Sequence, residues 1–144
     1  MLEVVTPDRL VVRETVDEAE IPARDGCIGV LPGHTPLLAE LANGHMTYRT
    51  GNRTRSCTAM GGFVEVLGDR IIVLADCSER AEEIDVPRAQ AARDRAQKLL
   101  ARCGSDPHVD WRAALAALER AEARLRAVSH QDEHRLLDTG HEAF

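Results

Sequence analysis

Aromatic side chains are scarce in this chain of 144 residues: one Trp, one Tyr and two Phe, 3% of the whole. Without aromatic faces there is no platform on which bases could stack. The net charge of −6 also lacks the basic excess that a phosphate backbone demands, so nucleic acid is excluded as the main partner. No apolar run reaches the roughly eighteen residues a membrane helix needs, and membrane association is expected only indirectly, through a partner. Cys27, Cys57, Cys77 and Cys103 are too widely spaced for a CxxC metal knuckle. With no signal peptide before them they read as reduced cytosolic thiols. G-x-S-x-G, H-E-x-x-H and G-x-x-x-x-G-K-[ST] are missing, which removes the common nucleophile, zinc and phosphate-loop signatures. These absences weigh toward a protein partner.

What is present divides in two. Residues 1–85 hold 15 acidic and 8 basic side chains, residues 86–144 hold 9 and 10. In the first part, short β-branched runs at Leu2–Thr6, Leu10–Arg13 and Val16–Ile21 are separated by turn residues such as Pro7-Asp8. Met46–Thr50 and Arg53–Thr58 flank Gly51-Asn52, and Phe63–Leu67 and Ile71–Ala75 flank Gly68-Asp69-Arg70. Short strands at this spacing predict an antiparallel β-sandwich or flattened barrel over residues 1–84. Gly61-Gly62 reads as a bulge or a close backbone approach.

At Ile84-Asp85 the apolar period changes from two to about 3.6. Asp85 is a good N-cap, Pro87 is tolerated in a first turn, and Gly104 is placed to stop a helix, giving about 86–103; a second helix follows Asp106-Pro107 and is predicted to end near Val128. Ala89, Ala92, Ala96, Leu99 and Cys103 form one stripe, Ala114, Leu118, Ala121, Leu125 and Val128 another. The stripes are expected to face each other in an antiparallel hairpin, 85–128, closely approached but burying little area. Residues 129–144, with His130, His134 and His141, read as a polar, flexible tail without an assigned site. The fold class is therefore α+β, a sandwich followed by a two-helix hairpin.

The most specified stretch is Gly26-Cys27-Ile28-Gly29-Val30-Leu31-Pro32-Gly33-His34-Thr35-Pro36-Leu37-Leu38, where three glycines and two prolines shape a turn between apolar segments read as buried. With Thr6-Pro7-Asp8-Arg9, Gly61-Gly62-Phe63-Val64-Glu65-Val66 and Ile84-Asp85-Val86-Pro87-Arg88-Ala89, all in order, it resembles the epsilon subunit of F-type ATP synthases. The resemblance covers about Leu2 to Val128.

That resemblance implies a noncatalytic rotor subunit of the central stalk, which couples proton flow to ATP synthesis and restrains ATP hydrolysis through its helices. Its partners would be the gamma subunit, the c ring and, through the helical arm, the alpha/beta catalytic head. It would sit peripherally on the cytoplasmic side of a bacterial cell membrane. Gly29, Leu31, Pro32, Gly33, His34, Pro36, Leu37 and Leu38 are the implied stalk and ring contacts. No cofactor is required, but Ile84, Asp85, Arg88, Ala89, Arg95, Arg120 and Arg124 match positions with which some family members hold a regulatory ATP. The competing expectation is a freestanding β-sandwich enzyme or ligand-binding module using His34 or Asp76 in a cleft.

Overall fold

Alternation of apolar and polar residues builds eight strands: β1 (Leu2–Val5), β2 (Leu10–Glu14), β3 (Glu18–Ala23), β4 (Gly26–Val30), β5 (Leu37–Glu40), β6 (Asn43–Thr50), β7 (Arg53–Leu67) and β8 (Arg70–Cys77). The computed structural model describes residues 1–139, with side chains described as far as His134. The hydrogen-bonded order is β2-β1-β8-β7-β6-β3-β4, with β5 joined to β7. The sheet is mixed and does not close: β1 runs parallel to β8 while the other pairs are antiparallel.

β7 is one strand where the sequence predicts two. Its first half pairs with β6 and its second half with both β5 and β8, so it carries the chain from one layer of the sandwich to the other. Gly61 (φ 66°) and Gly62 (φ 93°) make the bend. A side chain at Gly62 would run into the carbonyl oxygen of Leu74, the close approach expected of this pair. Between the layers lies a core that includes Leu2, Val4, Ile21, Met46, Cys57, Val64 and Val73; every residue of this cluster belongs to 1–75. Burial pushes the Cys57 thiol up to about 12, so this thiol stays protonated and unreactive.

The chain leaves β8 through a 3-10 turn at Ala81–Glu83 and enters α1 (Val86–Arg102). Asp85 caps α1, accepting from the Arg88 amide at 3.1 Å, and Asp110 caps α2 (Trp111–Thr139), accepting from the Arg112 and Ala113 amides. Buried Ala89 and Ala96 of α1 and Ala114 and Ala121 of α2 lie on the two predicted stripes.

Two expectations need correction. The second helix does not end near Val128 but continues to Thr139, because neither glycine nor proline interrupts it before Gly140 and its distal half has partners. Residues 129–139 are thus helix rather than tail, and residues 140–144, His141 among them, lie outside the described residues. Nor does the helical arm bury only its hairpin face. Glu119, Ala123, Ala127 and Gln131 follow at four-residue spacing, hence on one side of α2. Glu119 accepts from Asn43 Nδ2 at 3.4 Å and Gln131 Oε1 from the Ser56 amide at 2.8 Å. Ala123 and Ala127 are buried between them, against β6 and β7.

Candidate functional site

The hinge between sandwich and helices is strapped by charge. Arg9, in the β1–β2 turn, grips both oxygens of Glu83 at 2.9 and 2.6 Å and also donates to the Ser78 carbonyl. Arg80 reaches the same carboxylate at 3.0 and 2.7 Å. Arg9 most strongly, with Arg80 adding to it, holds the Glu83 carboxyl down at about 2 against the opposing effect of burial. Ser78 and Glu79 are tied to Thr58 by hydrogen bonds of 2.5 and 2.9 Å.

Beyond the strap opens a cleft of about 420 Å³ lined by Glu79, Glu83, Asp85, Arg88, Ala89, Ala92, Arg95 and Arg124. Of the residues matched to a regulatory nucleotide, the structure therefore gathers Asp85, Arg88, Ala89, Arg95 and Arg124. Ile84 is buried and Arg120 is half-buried on α2, and neither lines the cleft. The size suits a small molecule, and three guanidiniums suit phosphate. Three carboxylates oppose them, however, and Arg124 donates to Glu79 at 2.7 Å. A polyanion that engaged Arg124 here would compete with Glu79 for it.

The Gly/Pro corner is a surface. Val30 is buried, but Ile28 and Leu37 are half-buried and Leu31 and Leu38 stand 59% and 69% exposed, so the reading of these apolar residues as buried segments is corrected. β4 ends one sheet path and β5 lies off it, which leaves their outward faces uncovered. The turn closes through the His34 amide on the Leu31 carbonyl at 3.1 Å, with Gly33 at φ 83°. The His34 ring donates through Nδ1 to the Thr35 carbonyl at 2.6 Å. With Leu31, Pro32 and Gly33 it borders an open cleft of about 620 Å³ that reaches Asp17, Val66 and Asp69. Asp76 is not among that cleft's lining; it lies on β8 beside Gly61.

A second apolar surface escaped the sequence reading. Cross-strand register sets Leu10 beside Val5, Val5 beside Leu74 and Leu74 beside Phe63, one row across four strands. Leu10, Leu74 and Phe63 are each at least half exposed, with Leu67 near them on β7. The signal was the apolar pairs Phe63-Val64 and Val73-Leu74, which give their strands a greasy residue on both faces. The alignment of those strands with β1 and β2 is not visible in sequence.

Residues 1–81 match the profile of the ATP synthase delta/epsilon chain β-sandwich domain and residues 82–129 that of the delta/epsilon chain long α-helix domain. This chain belongs to the ATP synthase delta/epsilon family. It is 53% identical over 126 residues to the ATP synthase epsilon chain of Solibacter usitatus, covering 86% of this chain and 91% of that one. The epsilon chain of Nitratidesulfovibrio vulgaris is 46% identical over 125 residues, 87% and 92% of the two chains. Among solved structures, a chain of the Euglena gracilis mitochondrial ATP synthase (an OSCP/F1/c-ring structure) aligns at TM-score 0.74 and 26% identity, covering 90% of this chain and 80% of that one. A chain of the Tetrahymena thermophila mitochondrial ATP synthase central stalk and c-ring aligns at TM-score 0.56 and 13% identity, over 88% and 94%, and shares the fold. Family membership makes this an epsilon-type subunit of the rotary complex, a peripheral component of a membrane-bound assembly. The freestanding-enzyme alternative finds no support: His34 turns to its own neighbour's carbonyl, and Asp76 lies outside its cleft.

Proposed function

We propose that this chain is a noncatalytic rotor subunit of the central stalk, which couples proton flow to ATP synthesis and restrains ATP hydrolysis through α1 and α2. The observation that carries the reading is the division of labour in the fold. The core cluster is drawn wholly from residues 1–75, while α2 rests on the sandwich through small side chains and a few polar contacts. Residues 1–84 then act as a rigid docking unit and the helices as an arm that can leave it at modest cost.

The docking surfaces are the corner, Gly29 to Leu38, and the Leu10–Val5–Leu74–Phe63 row. In this reading they meet the gamma subunit and the c ring, as the resemblance implies, and the arm reaches the alpha/beta catalytic head. The complex is placed at the bacterial cell membrane with this subunit on the cytoplasmic side. ATP bound in the hinge cleft would compete with Glu79 for Arg124 and favour the compact arm by its higher affinity for that state. Copurification tests the docking: the parent should hold gamma stoichiometrically, and Phe63→Ser with Leu74→Ser should lose it while melting like the parent. Undiminished gamma binding by that variant would reject the row as the docking surface.

A further inference from the structure

Histidines separated by some 85 residues of chain converge where α2 lies on the sheet. His45 on β6 meets His130 with ring centroids 5.8 Å apart, and His130 meets His134, one turn further along α2, edge-to-face at 4.8 Å. Beside them Gln131 accepts the Ser56 amide, so the cluster sits at the anchor of the distal helix. Among the described residues no His, Cys, Asp and Glu group is arranged to hold a metal ion, which leaves the proton as the ligand to consider.

We propose that His45, His130 and His134 form a proton-sensitive latch, holding the distal half of α2 against β6 while neutral and releasing it when they gain charge. Two neutral rings at these separations attract edge to face, whereas two imidazolium ions repel. The charges around His45 make release the favoured response. From α2, His130 and Arg126 act against its protonation, and burial acts in the same direction and more strongly; from β3, Glu20 acts for it, more weakly. β7 presents neutral Ser56 and Thr58 on the other side. Glu119 is engaged by Asn43, and Glu122 lies near Arg126; Asp132 and Glu133 are exposed on α2.

The sign follows from linkage. A histidine whose docked form resists protonation contributes to docking fully above its ordinary value of about 6.5, and the contribution fades as pH falls below it. Each such ring changes the docked-to-released ratio by at most about tenfold per pH unit. The latch would set the arm's position by local proton concentration, independently of any nucleotide in the hinge cleft.

The test is amide exchange on the full chain by NMR, corrected for intrinsic rates, at pH 7.5 and 5.5. Protection of the Ser56 amide should fall at the lower pH, by up to about tenfold for one ring of ordinary value about 6.5, with Val73 in the sandwich core unchanged. His45→Gln with His130→Gln should abolish that pH dependence while keeping Val73 protected. In the parent, the His45 ring resonance should titrate over the interval in which Ser56 loses protection. A His45 ring that titrates while Ser56 keeps its protection, or a loss just as large in the double variant, would overturn the latch. Because the arm is read in the isolated chain, neither outcome depends on what the subunit does in the complex.

Discussion

Ala127 is fully buried between α2 and the sheet, with Ala123, 3% exposed, one turn before it. Burying the two methyl groups contributes about 1.6 kcal/mol to docking. The partly exposed Glu79–Arg124 pair at 2.7 Å adds about 1 kcal/mol or less. Ala127→Leu adds three carbons at a fully buried position, which costs about 1 to 3 kcal/mol in a packed contact and is comparable with these two contributions together. The docked-to-released ratio should fall roughly fivefold to 150-fold. Loss of Ser56 amide protection would report it. The sandwich should still unfold cooperatively, its midpoint lowered only by the docking energy lost, because no arm residue enters its core cluster. Ser56 protected as in the parent, or a sandwich that no longer unfolds cooperatively, would refute the view of α2 as a separable, thinly held element.

Gly62→Ala should destabilise the sandwich by at least about 2 kcal/mol in denaturant unfolding, from the left-handed backbone plus the collision with Leu74; a loss under about 0.5 kcal/mol would show that β7 bends elsewhere. For Glu83, held at about 2 in the folded chain, the stabilisation is complete above its unfolded value near 4.5 and lost as pH falls from there toward 2. Glu83→Gln should flatten that part of an acid-unfolding curve, and an unchanged curve would place the strap elsewhere. Calorimetric titration of the full chain with ATP should give saturable heat that Arg88→Ala with Arg124→Ala removes; heat indifferent to those substitutions would leave Asp85 as only a helix cap.

The turns were legible in sequence because their conformations need particular residues: Gly51 (φ 60°) and Gly68 (φ 60°) sit in the two predicted hairpins and Gly33 in the corner. The cap at Asp85 was legible for the same local reason. Long-range choices were not. Nothing near Gly61-Gly62 says that β7 continues through its bend, and the parallel pairing of β1 with β8 depends on residues about seventy positions apart. As site residues, Asp85, Arg88, Ala89 and Arg95 were marked by the family resemblance and not by the residue pattern, and the folded chain lines one cleft with them. Glu79's claim on Arg124, 45 residues away, appears only when the chain is folded. The end of α2 was misjudged because its distal face is polar: His130, Gln131 and His134 suggest solvent until β6 and β7 are brought beneath them.

The central claim is that the arm restrains hydrolysis while residues 1–84 carry the docking. It is tested most directly by reconstituting the catalytic head and gamma with the full chain and with a chain ending at Ile84, then comparing steady-state ATP hydrolysis. Both forms should bind, and hydrolysis should be faster with the shortened chain. Equal rates from two equally bound forms would contradict the account.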